Sequence, residues 1–185
     1  SRLSRSSRLL ARDGGLTHGR LPISWLDVTD PLVELAHDHR ELSGLLIAVR
    51  DALSRVERGQ SKLEDELHEI RDGIEVFREA LLEHFAREQE GLLPFVVGRI
   101  PATRDRTDQL IAEHDSIAES LTTLLRELSK IDASGELSPF RASLARFEEL
   151  YASHSRAELG FLEEVAAALA DDPAAREQLR VLLDE

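Results

Sequence analysis

Residues 63–88 read LEDELHEIRDGIEVFREALLEHFARE, and the apolar positions in this stretch decide the fold. Leu63, Leu67, Ile70, Ile74, Phe77 and Leu81 follow one another at steps of three and four, the seam of an α-helix buried on one side. Strand alternation would need steps of two. The seam then continues through His84 and Glu88, one turn apart, so a polar pair occupies positions that the pattern reserves for the core.

The same period runs outward in both directions. A first helix is predicted from Pro31, after Asp30, to the Arg58-Gly59 stop, with the seam Leu32, Leu35, His39, Leu42, Leu46, Val49 and Leu53. The second starts near Ser61, with Glu64 completing a capping-box pattern, and its end is loosened by Pro94 and Gly98. A third follows Pro101 with Thr107, Leu110, His114, Ile117, Leu121, Leu124, Leu128 and Ile131, stopping at Ser134-Gly135. The fourth carries Leu137, Phe140, Leu144, Phe147, Tyr151, His154, Glu158, Phe161, Val165 and Leu169. Asp171-Asp172-Pro173 then restarts a short helix expected to pack Leu179, Leu182 and Leu183. Short loops imply antiparallel neighbours, so the expected fold is an all-α, up-down-up-down four-helix bundle over residues 30–185. Residues 1–29, rich in Ser and Arg and including Trp25, are expected to form a partly mobile N-terminal arm.

Composition bounds the chemistry. A chain of 185 residues that is 42% hydrophobic can bury one core. A net charge of -13 disfavours nucleic-acid and anionic-membrane surfaces, because phosphates would be repelled. With no cysteine, any metal must be held by His, Asp or Glu. No stretch has the roughly 18 apolar residues of a membrane span, and a soluble cytoplasmic protein is the expectation.

Four of the seven histidines, His39, His84, His114 and His154, interrupt the seams of four different helices, and Glu88 and Glu158 follow two of them by one turn. Counting from each shared turn brings all six to one height within roughly one helical turn. A lone seam histidine is usually a hydrogen-bonded core residue. Six such groups in one leucine-rich layer would cost several kcal/mol of unrepaid desolvation without a cation. Four imidazoles and two carboxylates exceed what one tetrahedral zinc uses and suit two six-coordinate ions, with iron a better fit than manganese or zinc. The Glu-x-x-His pairing of ferritin-like sites has one match, Glu34 to His37, which points off the seam.

His37-Asp38-His39-Arg40-Glu41-Leu42, and His84-Phe85-Ala86-Arg87-Glu88 followed by Leu93-Pro94, resemble the first-helix and His-x-x-x-Glu motifs of the hemerythrin-like (HHE cation-binding) family. The resemblance covers residues 30–170. It implies that His39, His84, His114 and His154 are terminal ligands and that Glu88 and Glu158 bridge two iron ions alongside an oxo or hydroxo group. Oxygen-carrying members have a second histidine four residues after the third-helix one and end in His-x-x-x-x-Asp. Here Ala118 and Glu158 stand instead, which is similar to the four-His, two-Glu branch associated with peroxide or nitric oxide chemistry and with iron sensing.

On that ligand count each iron keeps one open position, which suits peroxide, so an oxidoreductase of catalase- or peroxidase-like type is expected. The alternative is a reversible binder or sensor of oxygen, nitric oxide or iron. Tyr151, one turn before His154, is the candidate catalytic side chain, as a phenolate ligand or proton donor. Leu35, Leu42, Leu81, Leu110, Ile117 and Phe161 are expected to make the surroundings dry and to restrict partners to small molecules. His37, Asp38 or Asp115 could back a ligand imidazole.

Overall fold

The computed structural model describes residues 30–131 and 136–184. The expected arm (residues 1–29) and the Ser134-Gly135 stop lie outside them. Six α-helical segments follow in order: α1 (Pro31–Glu57), α2 (Leu63–Ala86), α3 (Leu93–Arg99), α4 (Arg104–Ser129), α5 (Ser138–Ala168) and α6 (Pro173–Asp184). A π-helical turn, Arg87–Leu92, joins α2 to α3 without a break, and a 3-10 turn, Pro101–Thr103, leads into α4. The bundle therefore consists of α1, the long α2–α3 unit, α4 and α5. α1 packs chiefly on α2 and α4 on α5, with α1–α5 and α2–α4 contacts closing the bundle. Among the described residues there is no strand, and no helix is long and apolar enough to cross a membrane.

Local chemistry sets the ends. Asp30 caps α1 by accepting a hydrogen bond from the Leu32 backbone N–H at 3.0 Å, and Pro31 takes the first-turn position where no amide donor is needed. Gly59, at φ 66°, turns the chain out of α1. Across that turn Arg55 grips Glu66 with Nε and Nη2 at 2.9 and 2.6 Å. The capping box expected from Ser61 and Glu64 is not formed. Extended Lys62 holds the cap position without a side-chain bond, which leaves Ser61 outside the helix.

Pro94 does not loosen the second helix. It sits in the first turn of α3, where a missing N–H costs nothing, because the π-turn has already reset the hydrogen-bond register. Gly91 in that turn is buried against α6, where a Cβ would meet Leu183 Cδ2 at 2.8 Å. α6 presents Ala175, Leu179 and Leu183, spaced by four, to the core. Leu182, expected to pack with them, is turned outward and is 38% exposed. Arg176 fastens α6 by donating to Asp30, Leu169 O and Ala166 O, each at 3.1 Å.

The core is divided. One apolar cluster runs from Leu42, Leu81, Ile117 and Tyr151 toward the Gly59 end. Within it Phe77 meets Phe147 and Tyr151 edge-on at 5.4 and 5.8 Å, and truncating a buried Phe of this kind costs about 3–5 kcal/mol. The other cluster holds Leu35, Leu92, Leu110 and Phe161 together with α6. On every bundle helix the polar seam residues lie between the two.

Candidate metal centre

The structure brings together all six seam residues picked out by sequence. His39 comes from α1, His84 from the last turn of α2, Glu88 from the π-turn, His114 from α4, and His154 and Glu158 from α5. All are buried, none more than 3% exposed. Glu88 Oε1 lies 3.0 Å from His84 Nε2, and Oε2 lies 3.2 Å from His114 Nε2. Glu158 Oε2 lies 3.0 Å from His154 Nε2 and 3.2 Å from His39 Nε2.

These atoms form two groups, His39–His84–Glu88–Glu158 and Glu88–His114–His154–Glu158, each with its donor atoms within 4.8 Å of one another. The groups share both carboxylates. The layout thus offers two adjacent cation positions, each flanked by two imidazoles and joined by two carboxylates.

A test of fit lies in hydrogen bonding. The four Nε2 atoms and the four carboxylate oxygens are buried without a hydrogen-bond partner, since their short separations do not have hydrogen-bond geometry. Buried polar atoms are seldom left in this state, and eight converging on one volume fit the donor set that a cation would need.

The outward nitrogens, by contrast, are all engaged, and the partners form a ring around the bundle. Asp38 of α1 reaches His84 Nδ1 on α2 at 3.4 Å. Gln89 of the π-turn sets its amide Nε2 3.0 Å from His114 Nδ1 on α4. Glu113 of α4 reaches His154 Nδ1 on α5 at 3.1 Å. Tyr151 Oη and Ser155 Oγ of α5 reach His39 Nδ1 on α1 at 3.4 and 3.3 Å, which closes the ring. Asp38, Gln89, Glu113 and Ser155 each sit next in sequence to a seam residue of their own helix while backing a histidine of the neighbouring one. With Nε2 given to a cation, each Nδ1 carries the proton and donates; Asp38, Glu113, Tyr151 and Ser155 present an oxygen to it as they stand, and Gln89 presents its oxygen once the amide is turned over. Phe85 stacks on His114 at 3.9 Å and fixes that ring.

Electrostatics follow from burial. Two neighbouring carboxylates in a dry layer cannot both ionise cheaply. Burial, with Glu158 alongside, pushes Glu88 up to about 8. For Glu158 burial is outweighed by the close approach of Glu88, His154 and His39, which together hold it well below the usual carboxylate range. At His84 burial opposes charge, but Asp38 and Glu88 overcome it and raise the imidazole to about 10. Burial and the charge of His154 lower His114 to about 4. Burial also raises the Tyr151 phenol, which stays protonated.

The other sequence candidates fall as follows. Asp38 is a partner of His84, while Asp115 and His37 are exposed, His37 lying 3.5 Å from Glu41. His68 is exposed beside Asp72. Gln89, Glu113 and Ser155 were not anticipated as participants, and the signal that could have found them is adjacency to a seam histidine or glutamate.

A helical bundle that encloses four imidazoles and two carboxylates belongs to the class of cation-binding four-helix proteins. The family profile described as hemerythrin HHE cation binding domain matches residues 30–160, and the chain belongs to that family. No curated protein and no solved structure matches it.

Proposed function

We propose that this is a non-haem di-iron protein of the four-His, two-Glu kind that disproportionates hydrogen peroxide. His39 and His84 would hold one iron, His114 and His154 the other, with Glu88 and Glu158 bridging. The observation that carries the reading is the set of eight buried donor atoms without hydrogen bonds, shared between two adjacent groups. Bound iron would supply reversible two-electron chemistry, so that one peroxide is oxidised to dioxygen and a second takes up the two electrons and two protons released, leaving two waters.

The chain's own residues confine and orient. Leu35, Leu42, Leu81, Leu110, Ile117 and Phe161, all buried, keep bulk water and large solutes away from the layer. Asp38, Gln89, Glu113 and Ser155 hold each imidazole with its Nε2 inward. Tyr151 keeps its proton on Oη and serves His39 from behind the ring, which suits an orienting group better than a phenolate ligand.

The enclosure of the layer also fits reversible binding or sensing of oxygen or nitric oxide. An oxygen electrode separates the readings. Iron-loaded protein given peroxide should evolve oxygen in proportion to its iron content, and His114→Ala should abolish the activity. Iron-replete protein that evolves none, yet changes colour reversibly under oxygen or nitric oxide when reduced, would replace turnover with binding.

A further inference from the structure

Two of the four histidines are backed by carboxylates, one in each half of the site, and the two carboxylates differ in what neutralises them. Asp38, behind His84, accepts a hydrogen bond from Arg87 Nη1 at 2.8 Å, so its charge is paired with a guanidinium. Glu113, behind His154, accepts instead from the neutral amide of Gln109 at 2.8 Å. The remaining histidines have neutral partners in both halves, hydroxyls at His39 and an amide at His114. Among the described residues, the halves match in the donors they turn inward and differ in that Asp38 is hydrogen-bonded by a guanidinium, which also lies 4.0 Å from Glu34, whereas Glu113 is hydrogen-bonded by a neutral amide.

We infer that Glu113 and Asp38 are positioning residues that make the halves unequal, so that a divalent cation fills the His114–His154 half first and the His39–His84 half second. The inference rests on the metal reading above. A carboxylate behind a ligand imidazole fixes its orientation and raises its basicity, and losing such a partner typically weakens metal binding by about 10–100-fold. Arg87, donating to the same Asp38 Oδ2 that faces His84, withdraws part of that benefit from His84. Gln109 withdraws none from Glu113.

The test is a cobalt(II) titration of the metal-free 185-residue chain, followed by visible absorption, on wild type, Glu113→Gln and Asp38→Asn. Each variant keeps an acceptor oxygen and loses only the charge, and the melting temperature of each metal-free protein checks the fold. Wild type should take up two equivalents in resolved steps. Glu113→Gln should weaken the tighter step by about 10–100-fold, bringing the two together, while Asp38→Asn should weaken the looser step and spread them apart. A variant damaged only in its fold would lower both steps alike. Two equal steps in wild type, a reversed response of the variants, or the same loss from both would overturn the inference and leave the metal site standing. No cobalt uptake by wild type would overturn both.

Discussion

Tyr151 Oη lies 3.4 Å from His39 Nδ1, the nitrogen on the far side of the ring from the one that faces Glu158. Ser155 Oγ shares that nitrogen at 3.3 Å. Tyr151→Phe alone should therefore leave metal content unchanged and weaken binding by less than about tenfold, whereas Tyr151→Phe with Ser155→Ala should approach the full 10–100-fold of a lost outer partner. Absorption of the iron-loaded protein checks the geometry as well. A phenolate-to-iron band that bleaches in Tyr151→Phe would show that the phenol reaches the metal.

Replacing Glu88 should separate stability from loading. Without metal, Glu88 titrates near 8 rather than 4.5, so at pH 7 the fold must take up a proton that the unfolded chain lacks. Glu88→Gln removes that requirement and should stabilise the metal-free protein by about 1–3 kcal/mol at pH 7 in urea denaturation. The gain should vanish below pH 4.5, where both states are protonated. The same variant should no longer load two metals. A metal-free Glu88→Gln protein less stable than wild type at pH 7 would contradict the assigned burial of charge.

Metal uptake should release protons. Glu88, near 8, and His84, near 10, are protonated at pH 7 in the metal-free layer and must give up about two protons to coordinate, to which His154, also raised, adds a share; a pH-indicator dye in weak buffer would count them. Affinity should accordingly rise with pH. Metal-free stability should run the other way between pH 6.5 and 8. A group with a raised folded pKa lends stability that is complete below its unfolded value and is lost as pH climbs through the folded one, and Glu88, His84 and His154 are all raised. His114, lowered to about 4, gives its full contribution throughout that window.

Gly91→Ala should loosen α6. The added Cβ would stand 2.8 Å from Leu183 Cδ2 and 3.4 Å from Leu182 O, so the leucine must shift, at about 1–3 kcal/mol in chemical denaturation. Combining it with Leu183→Ala, which clears the clash, should give a loss smaller than the sum of the two single losses. Full additivity would mean that the π-turn and α6 do not press on each other here.

The bundle and its inner donors were legible because both depend on period. Seam positions repeat every three or four residues, and a histidine such as His39 between Leu35 and Leu42 stands out against that repeat. The outer ring was not, apart from Asp38. Gln89, Glu113 and Ser155 are polar residues beside the seam, indistinguishable in sequence from a solvated face, and what makes them partners is the packing of one helix on the next. The π-turn escaped for a related reason. Nothing in Arg87–Leu92 forces its hydrogen bonds to lengthen, whereas Gly91 pressed against Leu183 is a tertiary contact with a helix some 90 residues away. Pro94 was consequently read as the end of a helix that continues through it.

The most direct measurement of the central claim is elemental analysis of the chain after anaerobic reconstitution with ferrous iron and removal of the excess. The arrangement of donor atoms predicts about two irons per chain, falling well below two in His84→Ala and His154→Ala. A wild-type chain that retains no iron after reconstitution would contradict it, and would leave four imidazoles and two carboxylates as a buried polar layer with no cation to satisfy it.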